Sequence, residues 1–101
     1  MKTKEMIARE EALGKRIESY WDARSPAFSD VRRRELEGPD AALWQELIER
    51  HLPQGCPLRI LDVGTGAGFF AVLLTRMGHE VTGIDMSAGM IDEAQKNLAA
   101  F

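Results

Sequence analysis

The sequence predicts an α/β fold in which a parallel sheet, in the order β-α-β-α, follows N-terminal helices. An apolar run from Leu58 to Val63 leads into a glycine-rich turn and a helix-compatible segment that begins at Phe69. Such a run is typical of a strand covered on both faces. A second strand pattern at 80–84 precedes Ser87, which can cap another helix. Strands that alternate with helices indicate parallel pairing.

Length and composition limit the chain to one domain at most. It has 101 residues, of which 45% are hydrophobic and 29% charged, and its net charge is −3. This charge predicts no general attraction to nucleic acid or to an anionic membrane. The single cysteine, Cys56, cannot form an internal disulfide, so a reduced, cytoplasmic setting is predicted. No apolar stretch reaches the about 20 residues of a membrane span, and no Cys/His spacing predicts a metal site.

The N-terminal part of the chain is predicted to be helical but interrupted. Apolar residues recur at three- and four-residue steps from Lys4 to about Trp21, which predicts an amphipathic helix. A break is predicted around Pro26, followed by a short helix over 31–36. On residue type alone, the aromatic side chains of this part are expected in the core: Tyr20, Trp21, Phe28 and Trp44.

A further helix is predicted to begin at Pro39 and to end near Leu52, because proline suits the first helical position. Residues 53–57 form a connector rich in Pro and Gly. The predicted organisation is therefore a helical cap over 1–57 and the first half of an α/β domain over 58–101.

The end of the chain affects what is expected of it. Two parallel strands leave both sheet edges unpaired, which is marginal in water. The last helical pattern runs into Phe101 without a Gly or Asn stop. We therefore expect a truncated domain, or a sheet completed by self-association with another copy. The 101-residue chain is not expected to be a well-behaved monomer.

The glycine loop carries most of the functional information. A strand followed by glycines and a helix can present backbone N–H groups to a ligand. A dinucleotide site needs Gly-x-Gly-x-x-Gly, whereas Gly64, Gly66 and Gly68 alternate and Phe69 takes the third position of that pattern. Asp62 would oppose a pyrophosphate and attract a cation, by about 4 kcal/mol at 4 Å and an effective dielectric of 20. The loop predicts a cationic ligand without phosphate.

Asp85 supplies the second element of the predicted site. It follows the second strand, where an acidic side chain accepts hydrogen bonds from ribose hydroxyls. The carboxyl ends of parallel strands meet at one sheet edge, so Asp62 and Asp85 should lie on either side of the loop. A ligand with a cationic amino acid at one end and a ribose at the other fits both carboxylates. S-adenosylmethionine is such a ligand.

These motifs resemble those of a known family. The segment Asp62–Gly68 resembles the first motif of the class I S-adenosylmethionine-dependent methyltransferases, and Gly83–Ala94 is similar to their next motif. The similarity runs from about Leu58 to Leu98. It implies a Rossmann-like fold and S-adenosylmethionine as the cofactor.

The resemblance also implies roles for individual residues. The glycines let the backbone approach the methionyl part and the ribose, and Asp62 faces the ammonium group. Asp85 binds the ribose diol, and Met86 packs on the adenine, with core packing as an equal alternative for Met86. The implied residues of the loop are Gly64, Thr65, Gly66, Ala67 and Gly68.

A looser resemblance lies upstream. The segment Tyr20–Arg24 with Phe28 is similar to the N-terminal segment of the small-molecule methyltransferases of this class, which folds over the cofactor. This implies that Tyr20 and Phe28 close the pocket and that Arg24 meets the cofactor carboxylate.

The function predicted from these observations is methyl transfer from S-adenosylmethionine to a small molecule, with no nucleic-acid or membrane partner. The family's later strands, which carry most substrate contacts, have no counterpart in the chain, so no catalytic residue is assigned. One alternative is a non-catalytic, cofactor-binding or self-associating fragment. Another is a nicotinamide or flavin oxidoreductase, which Phe69 and Asp62 oppose.

Overall fold

A computed structural model describes residues 1–101 and confirms the predicted α/β class. Four helices surround a two-stranded parallel sheet. The second strand has the predicted bounds, and the first ends at Val63 as predicted but begins one residue later than expected. The last helix follows Ser87, as predicted. In chain order the elements are α1 (Lys4–Glu37), α2 (Pro39–His51), β1 (Arg59–Val63), α3 (Phe69–Arg76), β2 (Glu80–Ile84) and α4 (Ala88–Ala100).

The predicted break at Pro26 is wrong, because α1 is one continuous helix of 34 residues. Proline has no N–H, so the carbonyl of Asp22, four residues earlier, loses its helical partner. The hydroxyl of Ser25 donates to that carbonyl at 3.0 Å and replaces the missing bond. The helix therefore passes through Pro26 without an unsatisfied backbone group at Asp22.

The hydrophobic core lies among the helices. Phe69, Val72 and Leu73 on α3 pack with Leu36 at the end of α1 and Ala41 on α2. All five side chains are buried. This core holds the helical N-terminal part against the helix that follows the glycine loop.

The sheet has one open face. The register pairs Leu61 with Thr82 and Val63 with Ile84, so these four side chains share a face. Leu61, Val63 and Ile84 are 60%, 72% and 47% exposed. The opposite face, with Ile60, is half-buried. None of the helices has the length and apolar character that crossing a bilayer requires.

Candidate cofactor-binding site

A cavity of about 550 Å³ lies at the carboxyl ends of the two strands. Open α/β sheets bind ligands at this edge, and the volume falls within the range of small-molecule sites. The wall is mostly apolar and is contributed by α1, both strand ends, the glycine loop and the start of α4. The lining residues are Trp21, Phe28, Val63, Gly64, Gly66, Ile84, Asp85, Met86 and Met90.

The backbone N–H groups of the glycine loop are mostly used within the protein. Those of Gly64 and Thr65 donate to the carbonyl of Ile84 at 2.8 and 2.9 Å. The N–H of Gly66 donates to the Asp85 carboxylate at 3.0 Å. The N–H of Gly68 donates to the Thr65 carbonyl at 3.0 Å. The expectation that the loop presents these amides to a ligand is wrong for all four, and no phosphate cradle of the usual kind remains.

Two of the glycines are required by their surroundings. Gly66 has φ +57°, and a Cβ there would lie 3.4 Å from Cε1 of Phe28. Gly68 has φ +84°, and its Cβ would lie 3.1 Å from the Cβ of Ala94. A side chain at φ > 0 is strained in any case. The loop therefore lies tightly between Phe28 of α1 and Ala94 of α4.

Asp85 is the polar centre of the cavity wall. One carboxylate oxygen accepts the N–H of Gly66 at 3.0 Å, and the other accepts the N–H of Ser87 at 2.9 Å. Each oxygen of an ionised carboxylate can accept two hydrogen bonds. The carboxylate is thus held in place and keeps acceptor capacity for hydroxyl groups of a ligand.

Asp62 lies beside the cavity and is not part of its lining. Its carboxylate accepts the hydroxyl of Thr65 at 2.9 Å. A Cβ on Gly83 would come within 2.8 to 2.9 Å of the Thr65 side chain, so a glycine in β2 leaves room for this pair. Asp62 therefore stands at the predicted end of β1, and its contact with a cofactor stays a prediction.

The predicted residues on α1 fall into two groups. Phe28 lines the cavity, whereas Tyr20 and Arg24 do not. The guanidinium of Arg24 lies 3.6 Å from the centre of the Tyr20 ring, and both side chains are exposed. Trp21, expected in the core, lines the cavity and packs edge-on against Phe28 with 6.0 Å between ring centres.

Ala67 anchors the loop through a buried polar network. The side-chain amide of Asn97 donates to the carbonyl of Ala67 at 2.8 Å and to the Ser29 hydroxyl at 3.1 Å. Arg33 donates to Asn97 at 2.6 Å and to Glu93 at 3.2 Å. Asn97 is fully buried. The network joins the loop to α4 and α1, and residue spacing alone could not have revealed contacts between residues 30 to 68 positions apart.

Sequence reasoning also missed the function of Asp22. One oxygen of its carboxylate accepts the Ser87 hydroxyl at 2.5 Å and the Gly89 N–H at 3.0 Å. The Ser87 hydroxyl bond, followed by the Gly89 bond, holds the pKa of Asp22 below its ordinary value, with burial opposing them. The sequence signals were the resemblance of Tyr20–Arg24, which contains Asp22, and the cap at Ser87, which the structure confirms through its bond from the Met90 N–H.

The chain has an open α/β fold with a cavity where two parallel strands end, which is the edge at which such sheets bind ligands. A family model described as "Methyltransferase domain" matches residues 60–101. This match supports the resemblance of the two motifs to the class I S-adenosylmethionine-dependent methyltransferases, a family of enzymes, over the α/β part of the chain.

Curated relatives share the same segment. The tRNA 5-carboxymethoxyuridine methyltransferase of Escherichia coli (strain K12) is 45% identical over 62 residues, which is 59% of this chain and 23% of the relative. The malonyl-[acyl-carrier protein] O-methyltransferase of Erwinia pyrifoliae is 40% identical over 55 residues, or 54% and 21% of the two chains. The ribosomal protein L11 methyltransferase of Lactobacillus johnsonii is 33% identical over 89 residues, or 78% and 28%.

The matched segments thus span about a quarter of the length of these relatives. No solved structure matches the chain significantly.

Proposed function

We propose that the cavity binds S-adenosylmethionine and that the protein transfers its methyl group. The observation that carries this proposal is the hydrogen bonding of the Asp85 carboxylate at the cavity wall. Its carboxylate accepts the N–H of Gly66, one of the two loop glycines that line the cavity, and keeps acceptor capacity toward the cavity. A phosphate would meet a carboxylate there and find no free loop amide among the four described above. A ribose diol would meet an acceptor.

The residues of the cavity fit this cofactor. Met86 is half exposed at the wall, with Ile84 and Met90 beside it, which suits an apolar adenine face. Asp85 would hold the ribose hydroxyls. Asp62 would attract the ammonium group, by itself or through water.

When bound, S-adenosylmethionine supplies a methyl group already activated by its sulfonium. This chain's residues would orient that group and keep it from water, with Phe28 and Trp21 as the apolar cover. Proximity and orientation account for much of such a transfer. The chain offers no group assigned to proton abstraction from the acceptor.

A small-molecule acceptor is proposed from the resemblance of the N-terminal segment. The net charge of −3 also disfavours general attraction to nucleic acid. The relatives' names include tRNA, acyl-carrier-protein and ribosomal-protein methyltransferases, and these acceptor classes are the alternatives. We place the protein in the cytoplasm, because the exposed thiol of Cys56 suits a reducing compartment.

Calorimetric titration tests the cofactor. The chain is expected to bind S-adenosylhomocysteine and not to bind NAD, because the loop has no free amide cradle for a pyrophosphate. Gly66→Val should abolish binding, since the side chain would sit at φ +57° against Phe28. Gly55→Val, at φ +99° with no atom within 4 Å and outside the cavity, is the matched control. Binding of NAD without S-adenosylhomocysteine would make an oxidoreductase the better reading.

We also propose that the chain self-associates at its sheet, through the unpaired edges and the open apolar face between them. Leu61 is 60% exposed on that face and does not line the cavity. Leu61→Lys should raise the dissociation constant of the self-associated form by about tenfold or more, since burying a leucine is worth about 1.5–3 kcal/mol. Sedimentation velocity measures this, with Leu43→Lys on α2, 63% exposed, as the control. A wild-type chain that sediments as a monomer at all concentrations would contradict the proposal.

A further inference from the structure

Three hydrogen bonds connect α1 to the glycine loop through two side chains of the turn after β2. The Asp22 carboxylate accepts the Ser87 hydroxyl at 2.5 Å. The Ser87 N–H donates to one oxygen of Asp85 at 2.9 Å. The other oxygen of Asp85 accepts the Gly66 N–H at 3.0 Å. Each member of this relay therefore limits where the next one can lie.

The start of α4 holds Asp22 in place. The same Asp22 oxygen accepts the N–H of Gly89 at 3.0 Å, in the first turn of the helix, where a negative charge is favourable. A Cβ on Gly89 would lie 2.7 Å from the Ser25 hydroxyl and 3.2 Å from the Cα of Asp22. The two helices are thus in close backbone contact at this point, and Asp22 has little freedom to move.

The segment of α1 that begins at Asp22 forms one wall of the cavity. Trp21 precedes it and Phe28 follows less than two turns later, and both line the cavity. Further along, Arg33 attaches α1 to Asn97 at 2.6 Å, and Asn97 reaches the loop carbonyl of Ala67. The aromatic wall is therefore held at both ends, at Asp22 and at Arg33.

We propose that Asp22 is a positioning residue of the cavity. It does not line the cavity. It sets the place of the Asp85 carboxylate through Ser87, and it sets the place of Trp21 through α1. As a contribution to cofactor affinity, this inference rests on the proposed function. The position of Asp85 relative to the loop can be tested without any ligand.

Amide hydrogen exchange, measured by NMR on the ligand-free chain, tests the relay directly. Asp22→Ala is expected to speed exchange of the Gly66 and Ser87 amides about tenfold, because both donate to a carboxylate that has lost its support. The Val72 amide donates to the Gly68 carbonyl at 2.8 Å and serves as the reference. Its exchange rate should change little. Glu11→Ala removes an exposed carboxylate from the first third of the same helix and is the matched control.

A milder variant covers the case in which Asp22→Ala does not fold. Asp22→Asn keeps the shape and one acceptor oxygen but removes the charge, so we expect about a threefold rise in the same two exchange rates. Unchanged exchange of the Gly66 and Ser87 amides in a folded variant at Asp22 overturns the proposal, whatever the chain binds.

Affinity for S-adenosylhomocysteine, corrected for the folded fraction, separates positioning from stability alone. Asp22→Ala should weaken binding about tenfold in the wild-type background and less than about threefold when Asp85 is already alanine, because the relay acts through Asp85. If Asp22→Ala weakened binding by the same factor in both backgrounds, the proposal that Asp22 acts through Asp85 would be overturned. A wild-type chain that does not bind the probe while the exchange rates respond would refute the proposed function and leave the relay supported.

Discussion

Gly68→Ala is expected to lower the free energy of unfolding by about 2–5 kcal/mol. About 1–2 kcal/mol comes from placing a side chain at φ +84°. A further 1–3 kcal/mol, roughly, comes from overpacking, because the new Cβ would lie 3.1 Å from the Cβ and 3.3 Å from the Cα of Ala94. For a small domain this is a large part of the total stability. Urea denaturation followed by circular dichroism measures it at one fixed protein concentration.

Gly78→Ala separates the two causes. Gly78 has φ +93°, but a Cβ there would meet no atom within 4 Å. The variant should therefore show only the conformational cost, about 1–2 kcal/mol. Equal losses in the two variants would mean that α4 yields freely at Ala94, and that the loop is not held between α1 and α4 as the distances indicate.

Asp85→Ala is expected to weaken binding of S-adenosylhomocysteine by about 1.5–3 kcal/mol, the scale of hydrogen bonds to a charged group. The ribose would lose its acceptor, and the N–H groups of Gly66 and Ser87 would lose the carboxylate that they share. The loss should appear in the dissociation constant from calorimetry as roughly a ten- to 150-fold increase.

The control for Asp85→Ala is Asp92→Ala. Asp92 is an exposed carboxylate in the early part of α4, so the substitution removes the same charge near the same end of the helix. Its affinity should stay within about twofold of the wild type, because exposed charges interact weakly. A normal dissociation constant for Asp85→Ala itself would remove Asp85 from the ribose site.

Local patterns were enough for much of the fold. The bounds of β2 and α4 could be predicted because a glycine stop at Gly78 and a cap at Ser87 are signals within a few residues. The position of Asp85 at the cavity followed from strand order, since parallel strands end at the same edge. The continuity of α1 could not be predicted, because it depends on the Ser25 hydroxyl taking over the carbonyl that Pro26 leaves free.

In the candidate site, too, some residues could be predicted from motifs and others only from the structure. Phe28 and the glycines were found by motif, while Trp21 was assigned to the core because apolar spacing on a helix does not tell a cavity wall from a core. The loop amides were expected to face a ligand, and only the paired β2 strand showed that Ile84 and Asp85 already accept most of them.

By itself, the sequence determined the α/β order, the glycine loop and the two acidic strand ends, and through them the resemblance to methyltransferases. These features depend on residue type and on spacings of a few residues, because the turns, caps and strand ends that they define form within short segments of the chain. Only the tertiary structure decided which amides are free, which aromatic rings line the cavity, and that Asp22 on α1 meets Ser87 at the start of α4. Those outcomes depend on contacts between residues far apart in the chain, and the packing of α1 against α4 sets their distances.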